Sequence, residues 1–535
     1  MNVPTEVHRN LEPWQKPPLR HLLEETDTFV TCVELVNSRG VITERGGRRV
    51  LELARNLANH RHIHALSITD NPGGNAMLSA DVLGADLISR GQEVIIHISC
   101  KDWNRNALQS NGWKLASSGF NSVLALSGDY PTGGGYQGQA SGVFDIDSAG
   151  LLKLYAGMNA GMKVGTGTGK KNQVLKRTNF FLGAVVNNHK RHEREVMPQY
   201  FKLAKKIENG AAFIINQIGY DSRKQDELLK YMALHNLRVP VLGNVYVLSR
   251  PAARYFNGGN IPGVIVTDEF LALAEKRAQS RDKGKAFFLE LAAKQCAIAR
   301  GLGYRGAYLG GHLKYEDYER ILKMADGFGE EDWRDFTKEI CFHQPDEFYF
   351  FEPDPVTGLS STEINRQYLF SKRPEALKAA KRELPVSYKI NRWVHDKVFE
   401  KGTLGFNIGK KVSQKIGDAR QGVQKAVHGM EQAFKIAAFD CRDCGDCSLP
   451  DIAYLCPESQ CVKNQRNGPC GGTRQGKCEV GEKDCIWALA YDRLKAYGQE
   501  EKMLQKPMVF RDGALRGTSA WGNTFLGRDH HARKK

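Results

Sequence analysis

Eight apolar runs of β-prone residues, separated by amphipathic segments, constrain the fold of this chain more than any other feature. The predicted strands span residues 29–35, 64–70, 93–100, 122–129, 180–187, 211–219, 239–247 and 304–311. The helical patterns include residues 48–59, 80–90, 104–117, 194–209 and 223–235. Eight such repeats predict an α/β fold, a closed (β/α)8 TIM barrel over residues 1–325. An open doubly wound sheet is the alternative, but its Gly-x-Gly-x-x-Gly fingerprint is missing.

Polar residues stand at or near the C-terminal ends of several predicted strands. Glu34 belongs to the first strand, Thr69 to the second, His97 to the third, Asp129 to the fourth and Gln217 to the sixth. A parallel barrel brings these ends to one rim, where barrel enzymes carry their chemistry. Glu34 lies in an apolar strand, so it needs a partner or a raised pKa, and a raised pKa would make it a competent general acid. Each residue could instead be a satisfied polar group of a barrel layer.

Eight of the twelve cysteines lie in a 45-residue segment near the C-terminus. They are Cys441, Cys444, Cys447, Cys456, Cys461, Cys470, Cys478 and Cys485. In a cytosolic chain this density indicates metal ligands rather than disulfides. The Cys-x-x-Cys-x-x-Cys start brings three thiolates within reach of one centre, and the other five allow a second centre or a fourth ligand. Spacing alone leaves zinc and iron–sulfur clusters both open.

Length and composition set the remaining expectations. A chain of 535 residues predicts two or three domains. We assign the barrel to residues 1–325, a helical connector to 326–440, with helical patterns at 374–383 and 412–437, and a cysteine-rich metal-binding module with a basic tail to 441–535. No long apolar run and no signal pattern is present, which predicts a cytoplasmic protein without membrane segments. The formal charge of +16 suggests an anionic partner.

Two glycine-rich stretches and one basic stretch could contact phosphate groups. The glycine-rich stretches are residues 133–135 and 165–171, and neither matches a P-loop because Lys171 follows Lys170 where Ser or Thr is required. A nucleotide triphosphate site is therefore disfavoured. Each glycine-rich stretch could still be a flexible loop over a ligand, or a loop without a binding role. The basic stretch, residues 189–192, could bind a cofactor phosphate or an acidic substrate tail, or be a solvated loop.

The first 325 residues resemble methylenetetrahydrofolate reductase, a flavin-dependent (β/α)8 barrel. The matching pieces recur in the family's order and strand positions, at residues 33–35, 66–70, 96–100, 125–131, 203–211 and 215–221. The cysteine-rich region resembles the C-terminal domain that is fused to, or partnered with, some bacterial members that do not take electrons from a pyridine nucleotide. That second resemblance favours [4Fe–4S] clusters that pass electrons to the flavin, with structural zinc as the rival.

The resemblance implies a role for each matching residue. Glu34 matches the catalytic glutamate that assists opening of the folate's five-membered ring, and Asp129 matches a catalytic aspartate that contacts pterin and flavin. Gln217 matches the glutamine that, with Asp129, holds the folate. The implied contacts to the flavin, FAD or FMN, are Thr69, His97, Gly128, Asp129, Phe144 and Lys206. Ser127 departs from the family, which usually has an arginine there, and this leaves the choice between FAD and FMN open.

The implied function is interconversion of 5,10-methylenetetrahydrofolate and 5-methyltetrahydrofolate in one-carbon metabolism. The expected partners are the tetrahydrofolate substrate and an electron-transfer protein, with no nucleic acid and no membrane, and we expect a homo-oligomer. A barrel methyltransferase that uses folate and a corrinoid is one alternative. A zinc-bearing nucleic-acid-binding protein is another, although the cysteine-rich segment has no recognisable recognition helix.

Overall fold

A computed structural model describes residues 16–131, 133, 135–165 and 172–532. Its central element is a closed parallel barrel. The barrel strands are β1 (Val30–Leu35), β2 (Ala65–Ile68), β3 (Glu93–Ser99), β4 (Ser122–Leu126), β5 (Phe181–Val186), β6 (Phe213–Asn216), β7 (Val241–Tyr246) and β8 (Gly306–Gly310). Each strand pairs with its neighbours in sequence, and β8 closes on β1 with Gly306 opposite Val30. The predicted barrel and its eight strands are confirmed.

Helices follow the strands and pack around the barrel. They are Leu19–Glu24, Arg45–Ala58, Ala80–Ser89, Arg105–Ser117, Ser148–Ala160, Glu193–Glu208, Ser222–Leu234, Arg250–Asn257, Asp268–Arg277, Lys285–Leu302, Tyr315–Gly327 and Trp333–Glu339. Several begin where the sequence supplies a capping side chain, as at Asn104, Asp147 and Asp221, each of which accepts a hydrogen bond from a first-turn N–H. The strands Lys163–Gly165 and Asn172–Val174 form a separate hairpin.

The barrel interior is filled from several strands, and its N-terminal end is closed by the first helix. Cys32, Ile95, Phe213 and Leu242 are among the buried side chains of this inner cluster, which also includes leucines of Leu19–Glu24. Because strands of such a barrel are covered on both faces, their sequences read as continuous apolar runs. The N-terminal end is therefore packed, and any ligand site must lie at the opposite rim.

The connector is helical, as predicted, but one of its helices is broken. Its elements are the hairpin Phe351–Pro353 with Ser360–Ile364 and the helices Arg366–Ser371, Pro374–Glu383, Val386–Val394, Leu404–Gly417 and Gln421–Phe439, with a π-helical turn at His395–Phe399. The prediction of one helix over residues 412–437 was wrong. The chain leaves the helix after Gly417, a poor helix former, and Arg420 is extended before the next helix begins.

The cysteine-rich region packs on the barrel rather than apart from it. It contains the helices Pro457–Gln460, Ile486–Lys495, Lys502–Gln505 and Ala520–Phe525 and the 3-10 turns Leu449–Ile452, Gly513–Leu515 and His530–Ala532. Tyr491 Oη donates to Glu193 Oε1 at 2.6 Å, and the Asn467 backbone N–H donates to Asp147 Oδ2 at 2.9 Å. Glu193 and Asp147 stand at the starts of barrel helices, so this region covers the carboxyl-end rim.

Two sequence features lie outside the described residues, namely most of the glycine-rich stretch at 165–171 and the end of the basic tail at 533–535. Within the described part of the chain, no helix combines the length and the apolar character needed to cross a membrane.

Candidate functional site

The carboxyl ends of the barrel strands and the cysteine-rich region together enclose a cavity of ≈ 690 Å³. Glu34, Asp129 and Gln217 all line it, although they come from three different strand ends. The predicted cofactor contacts that also line it are Thr69, His97, Gly128 and Lys206. Phe144 is not among the lining residues, and its ring instead stacks on Tyr130 at 6.3 Å between centroids.

Glu34 is held by a hydrogen-bonded group inside the barrel. Tyr308 Oη lies 2.9 Å from Glu34 Oε2 and donates to it. Since the phenol has one proton, its oxygen is left to accept from Ser67 at 3.0 Å or from His97 Nε2 at 3.1 Å. Burial raises the pKa of Glu34, and the Tyr308 hydrogen bond works against that rise. Burial lowers the pKa of His97 to about 3, so its ring is neutral at physiological pH.

Asp129 is fixed by a turn that requires close backbone approach. Its Oδ2 accepts a hydrogen bond from the Gly73 backbone N–H at 2.8 Å. The preceding Gly128 has φ +82°, and a Cβ there would lie 2.9 Å from Ser99 Cβ and from Lys101 Cγ. Only glycine fits this conformation and this space without strain. Glycine is therefore required before Asp129 for a steric reason, while Asp129 itself supplies the carboxylate.

A lysine from the cysteine-rich region reaches the barrel rim beside Asp129. Lys463 Nζ donates to the Gly128 carbonyl at 2.7 Å and forms a buried ion pair with Glu479. Burial favours the neutral amine, but the Glu479 carboxylate outweighs it and raises the pKa of Lys463 above its usual value. Both Lys463 and Glu479 line the cavity. The C-terminal region thus supplies part of the site wall and a positive charge.

Ser127, which departs from the expected arginine, makes a contact that the sequence did not predict. Its Oγ donates to Gln465 Oε1 at 3.2 Å, and Lys202 Nζ donates to the same oxygen at 2.9 Å. The small side chain leaves room for the segment around Gln465 to pack against the end of β4. The departure at this position is therefore coupled to docking of the C-terminal region.

Lys190, in the basic stretch after β5, also helps to dock the C-terminal region on the barrel. Lys190 is buried, and its Nζ donates to the carbonyls of Gly471, at 2.6 Å, and of Thr473. Burial lowers the pKa of the neighbouring His189 to about 3. Neither expectation for this stretch, a phosphate contact or a solvated loop, describes Lys190 and His189, because both are buried, Lys190 under the cysteine-rich region and His189 against Gly219 of the barrel.

The cavity wall carries polar atoms without protein partners. Thr69 Oγ1, Gln199 Nε2 and Asn216 Nδ2 are buried, belong to lining residues and have no hydrogen-bond partner. Burial lowers the pKa of Lys206 to about 7, and its Nζ donates to the Val185 carbonyl at 2.5 Å. Buried polar groups are normally satisfied, so these atoms indicate a polar ligand. The volume is also typical of a site for a ligand or cofactor.

The eight clustered cysteines divide into two sets of four, called here set 1 and set 2. Set 1 is Cys441, Cys444, Cys447 and Cys456, and set 2 is Cys461, Cys470, Cys478 and Cys485. Burial, together with the charged neighbours Cys444 and Cys456, raises the pKa of Cys447 to about 12. Burial likewise raises the pKa of Cys461 to about 11, with Cys470 and Cys478 as charged neighbours. Each set can therefore place its thiolates around one centre.

Another group with metal-ligand chemistry is Asp451, His530 and His531, whose ligand atoms lie within 4.8 Å of one another. His530 Nε2 lies 2.8 Å from Asp451 Oδ2, and His531 Nε2 lies 3.1 Å from Asp451 Oδ1. Lys506 Nζ stands 3.6 Å from the same carboxylate. The ammonium and the two imidazoles already neutralise Asp451, so the group is an ion-pair network that anchors the last described residues.

Sequence reasoning missed three residues of this site, Tyr308, Lys463 and Glu479. Tyr308 carried a weak signal, since it is a polar aromatic residue in the short run Gly-Ala-Tyr-Leu-Gly of β8. Lys463 and Glu479 carried none, because charged residues between cysteines are ordinary for a metal-binding loop. Their role depends on how the C-terminal region packs against the barrel.

Comparisons with known proteins identify the C-terminal part of the chain. Residues 420–513 match the family model described as the methylene-tetrahydrofolate reductase C terminal. The match includes the helix Gln421–Phe439, which we had placed in the connector, together with both cysteine sets. A search of curated proteins found no match.

Three solved structures resemble the chain distantly. One is an uncharacterized protein from Clostridium thermocellum that binds two copies of 5-methyl-5,6,7,8-tetrahydrofolic acid, with 13% identity, a TM-score of 0.38, and 56% of this chain and 94% of that chain covered. EDTA monooxygenase from Chelativorans sp. BNC1 has 13% identity and a TM-score of 0.35, and the match covers 60% of this chain and 95% of that chain. Oxaloacetate acetylhydrolase has 14% identity and a TM-score of 0.30, with 56% and 81% covered. Scores this low bear on neither substrate nor mechanism.

Proposed function

We propose that this chain, which carries the C-terminal domain of methylene-tetrahydrofolate reductase at residues 420–513, is a flavin-dependent methylenetetrahydrofolate reductase. It would interconvert 5,10-methylenetetrahydrofolate and 5-methyltetrahydrofolate. The observation that carries the proposal is that Glu34, Asp129 and Gln217 line one cavity at the carboxyl end of the barrel. These are the three residues that the resemblance assigns to the folate.

Glu34 would act as the acid. Reduction of the methylene to a methyl group consumes a hydride and a proton, and a nitrogen of the folate must gain a proton as the five-membered ring opens. A carboxyl whose pKa is raised by burial keeps its proton nearer to neutral pH. Asp129, fixed by Gly73, and Gln217, which offers both a donor and an acceptor, would orient the pterin.

The flavin would be held at the same rim. Thr69, His97, Gly128 and Lys206 line the cavity, and Thr69 Oγ1 lacks a protein partner, as expected of an atom that contacts a ligand. Phe144 stays a predicted contact, although it lies behind Tyr130. When bound, FAD or FMN would supply hydride transfer, which no amino-acid side chain can perform. The chain's own part is to exclude water, orient the pterin and hold the proton on Glu34.

The two cysteine sets would hold iron–sulfur clusters. Four thiolates around one tetrahedral zinc, with Zn–S bonds of about 2.3 Å, lie roughly 4 Å apart. Among the described residues, no three cysteine sulfurs lie within 4.8 Å of one another, and this wider arrangement favours a larger centre. We therefore propose a [4Fe–4S] cluster in each set, with zinc as the alternative. Clusters there would supply one-electron transfer toward the barrel.

The decisive experiment is anaerobic purification followed by an absorbance spectrum, metal analysis and folate turnover with a reduced artificial donor. We expect a flavin spectrum, iron with acid-labile sulfide, and conversion of methylene- to methyltetrahydrofolate. A preparation without flavin that transfers methyl groups to a corrinoid would support the methyltransferase instead. Salt-sensitive retention on DNA without folate binding would support the nucleic-acid-binding alternative.

A variant pair tests the role of Glu34. Glu34→Gln should abolish turnover while flavin remains bound and reducible, because only the proton donor is lost. Glu93→Gln is the matched control. Glu93 is a second barrel glutamate whose pKa is raised by burial, but it stands at the start of β3, where Ser122 donates to it at 2.6 Å, away from the cavity. Full turnover in Glu34→Gln would remove Glu34 from its role.

A further inference from the structure

Three helices before and within the matched C-terminal domain expose a row of apolar side chains. On Val386–Val394 and Leu404–Gly417 these residues recur every three or four positions, so each row lies along one face of its helix. The exposed apolar residues of the three helices, called here the docking face, are Val386, Ile390, Trp393, Leu404, Ile408, Val412, Val423, Met430, Phe434 and Ile436. Trp393 is 63% exposed and Leu404 is 77% exposed. Isolated exposed apolar residues are ordinary, but here Ile390 and Phe434, from two of these helices, line one groove, and exposed apolar residues grouped in this way mark an interaction site.

A groove of ≈ 640 Å³ opens between these helices, and Ile390 and Phe434 of the docking face line it. Its lining includes Ile390, Phe406, Phe434 and Trp521, which come from four different helices. The rings of Phe434 and Trp521 lie 6.0 Å apart between centroids. Phe434 and Ile390 are each 55% exposed although they line the groove. The groove is therefore preformed, and its aromatic wall is open to a partner.

The charge around the docking face is positive. Residues 386–439 contain ten lysines and arginines and four aspartates and glutamates, an excess of six positive charges. Lys411 and Lys415 are exposed on the helix Leu404–Gly417 and follow Ile408 and Val412 of its apolar row by three residues, so they lie beside that row. A second copy of this chain would bring like charges together across such a face, which costs free energy. An acidic partner would instead be steered toward it.

The docking face lies at one end of a route to the barrel cavity. Cys447 of set 1 lines the groove, and Cys470 of set 2 lines the cavity. Residues 465 and 466 join the two sets. Arg466 donates to the Asp446 carbonyl next to Cys447, and the Gln465 backbone N–H contacts Cys461 Sγ at 3.5 Å. An electron that enters at the groove would meet both cysteine sets before it reaches the barrel.

We propose that the docking face binds an acidic protein that carries single electrons. The inference rests on the proposed function and adds the place where the electrons enter and the kind of carrier that delivers them. Each docking event would oxidise one reduced carrier by one electron. Two events would supply the two electrons that, with two protons, convert the methylene group into the methyl group.

The test measures binding, apart from turnover, of the full-length, anaerobically purified chain. Two probes are used, an acidic ferredoxin and an acidic flavodoxin, with a basic cytochrome c as the charge control. We expect at least one acidic probe to bind, and its affinity to fall steeply as salt is raised, whereas the cytochrome does not bind. If neither acidic probe binds at low salt, the proposal is wrong.

Two kinds of variant separate the apolar and the charged contributions. Phe434→Ser should weaken probe binding by about 30-fold, as truncation of a central aromatic residue does at protein interfaces. Lys411→Glu with Lys415→Glu should slow association by about tenfold and reduce the salt dependence. Val356→Ser and Lys323→Glu, exposed residues distant in sequence from this face, are the matched controls and should bind normally. Unchanged binding in both docking-face variants would overturn the proposal.

Two further measurements exclude the other occupants. Flotation with anionic vesicles that depends on Phe434 would assign the face to a membrane surface instead. A dimer that Phe434→Ser converts to a monomer would assign it to a second copy. Folate binding to the same preparations, measured by calorimetry, should be unaffected by either variant. If the wild-type chain does not bind folate, that result would count against the proposed function rather than against the docking face.

Discussion

Tyr308→Phe should shift the pH dependence of turnover upward without disrupting the barrel. The substitution removes one oxygen atom, the phenol that donates to Glu34 Oε2 at 2.9 Å. That hydrogen bond favours the ionised carboxylate and holds the pKa of Glu34 below the value that burial alone would give. Without it, the carboxyl should retain its proton to higher pH.

The size of the shift follows from the strength of the bond. A hydrogen bond to a charged group contributes about 1.5–3 kcal/mol, and 1.36 kcal/mol corresponds to one pKa unit. Loss of the bond should therefore raise the pKa of Glu34 by about 1–2 units. If protonated Glu34 is the acid, the high-pH limb of the rate profile should move upward by the same amount. The plateau rate should fall, because an acid with a higher pKa gives up its proton less readily.

The assay is folate reduction with a reduced artificial donor, measured from about pH 5 to about pH 9. His97 cannot account for a shift in this range, because burial lowers its pKa to about 3. Tyr304→Phe is the control, since Tyr304 is also buried but its Oη donates to the Gln225 carbonyl at 2.9 Å, outside the cavity. A folded Tyr308→Phe variant whose limb coincides with that of the control would refute the assignment of Glu34 as the acid.

Three further outcomes can be measured on the full-length chain. Lys463→Met should lower the free energy of unfolding in urea by about 3–5 kcal/mol, because Glu479 is left as an unpaired buried charge. The double variant Lys463→Met with Glu479→Leu should recover most of this loss. A Lys463→Met variant as stable as the wild-type chain would contradict the prediction. Cys441→Ser and Cys470→Ser should each remove roughly half of the bound iron, and unchanged iron in both would exclude the two-cluster arrangement. Burial lowers the pKa of His531, but the Asp451 carboxylate outweighs it and raises that pKa to about 10. The ion pair of protonated His531 with Asp451 therefore stabilises the folded state fully below about pH 6.5, and this contribution is lost as the pH rises through about 10. Thermal unfolding of His531→Gln should therefore show a deficit near pH 6 that disappears near pH 10, and a deficit independent of pH would show that His531 acts only by packing.

The barrel and much of its rim could be predicted from the sequence because their signals are local. Apolar runs of strand length alternate with helical periodicity, and the ends of parallel strands must meet at one edge. This geometry alone brought Glu34, Asp129 and Gln217 toward one cavity. The break after Gly417 was missed because the apolar pattern continues across it. The helical periodicity of apolar residues does not show where the backbone leaves the helix.

The sequence by itself determined the strands, their order and the cysteines available for metal binding, since these depend on residues that are near neighbours in the chain. Only the tertiary structure decided that the cysteine-rich region closes the barrel mouth, with Lys463 donating to a carbonyl 335 positions earlier in the chain. It also buried Lys190 and aimed Tyr308 at Glu34. Contacts of this kind come from the packing of complementary surfaces, and the residues that make them carry no local pattern by which they could be recognised in advance.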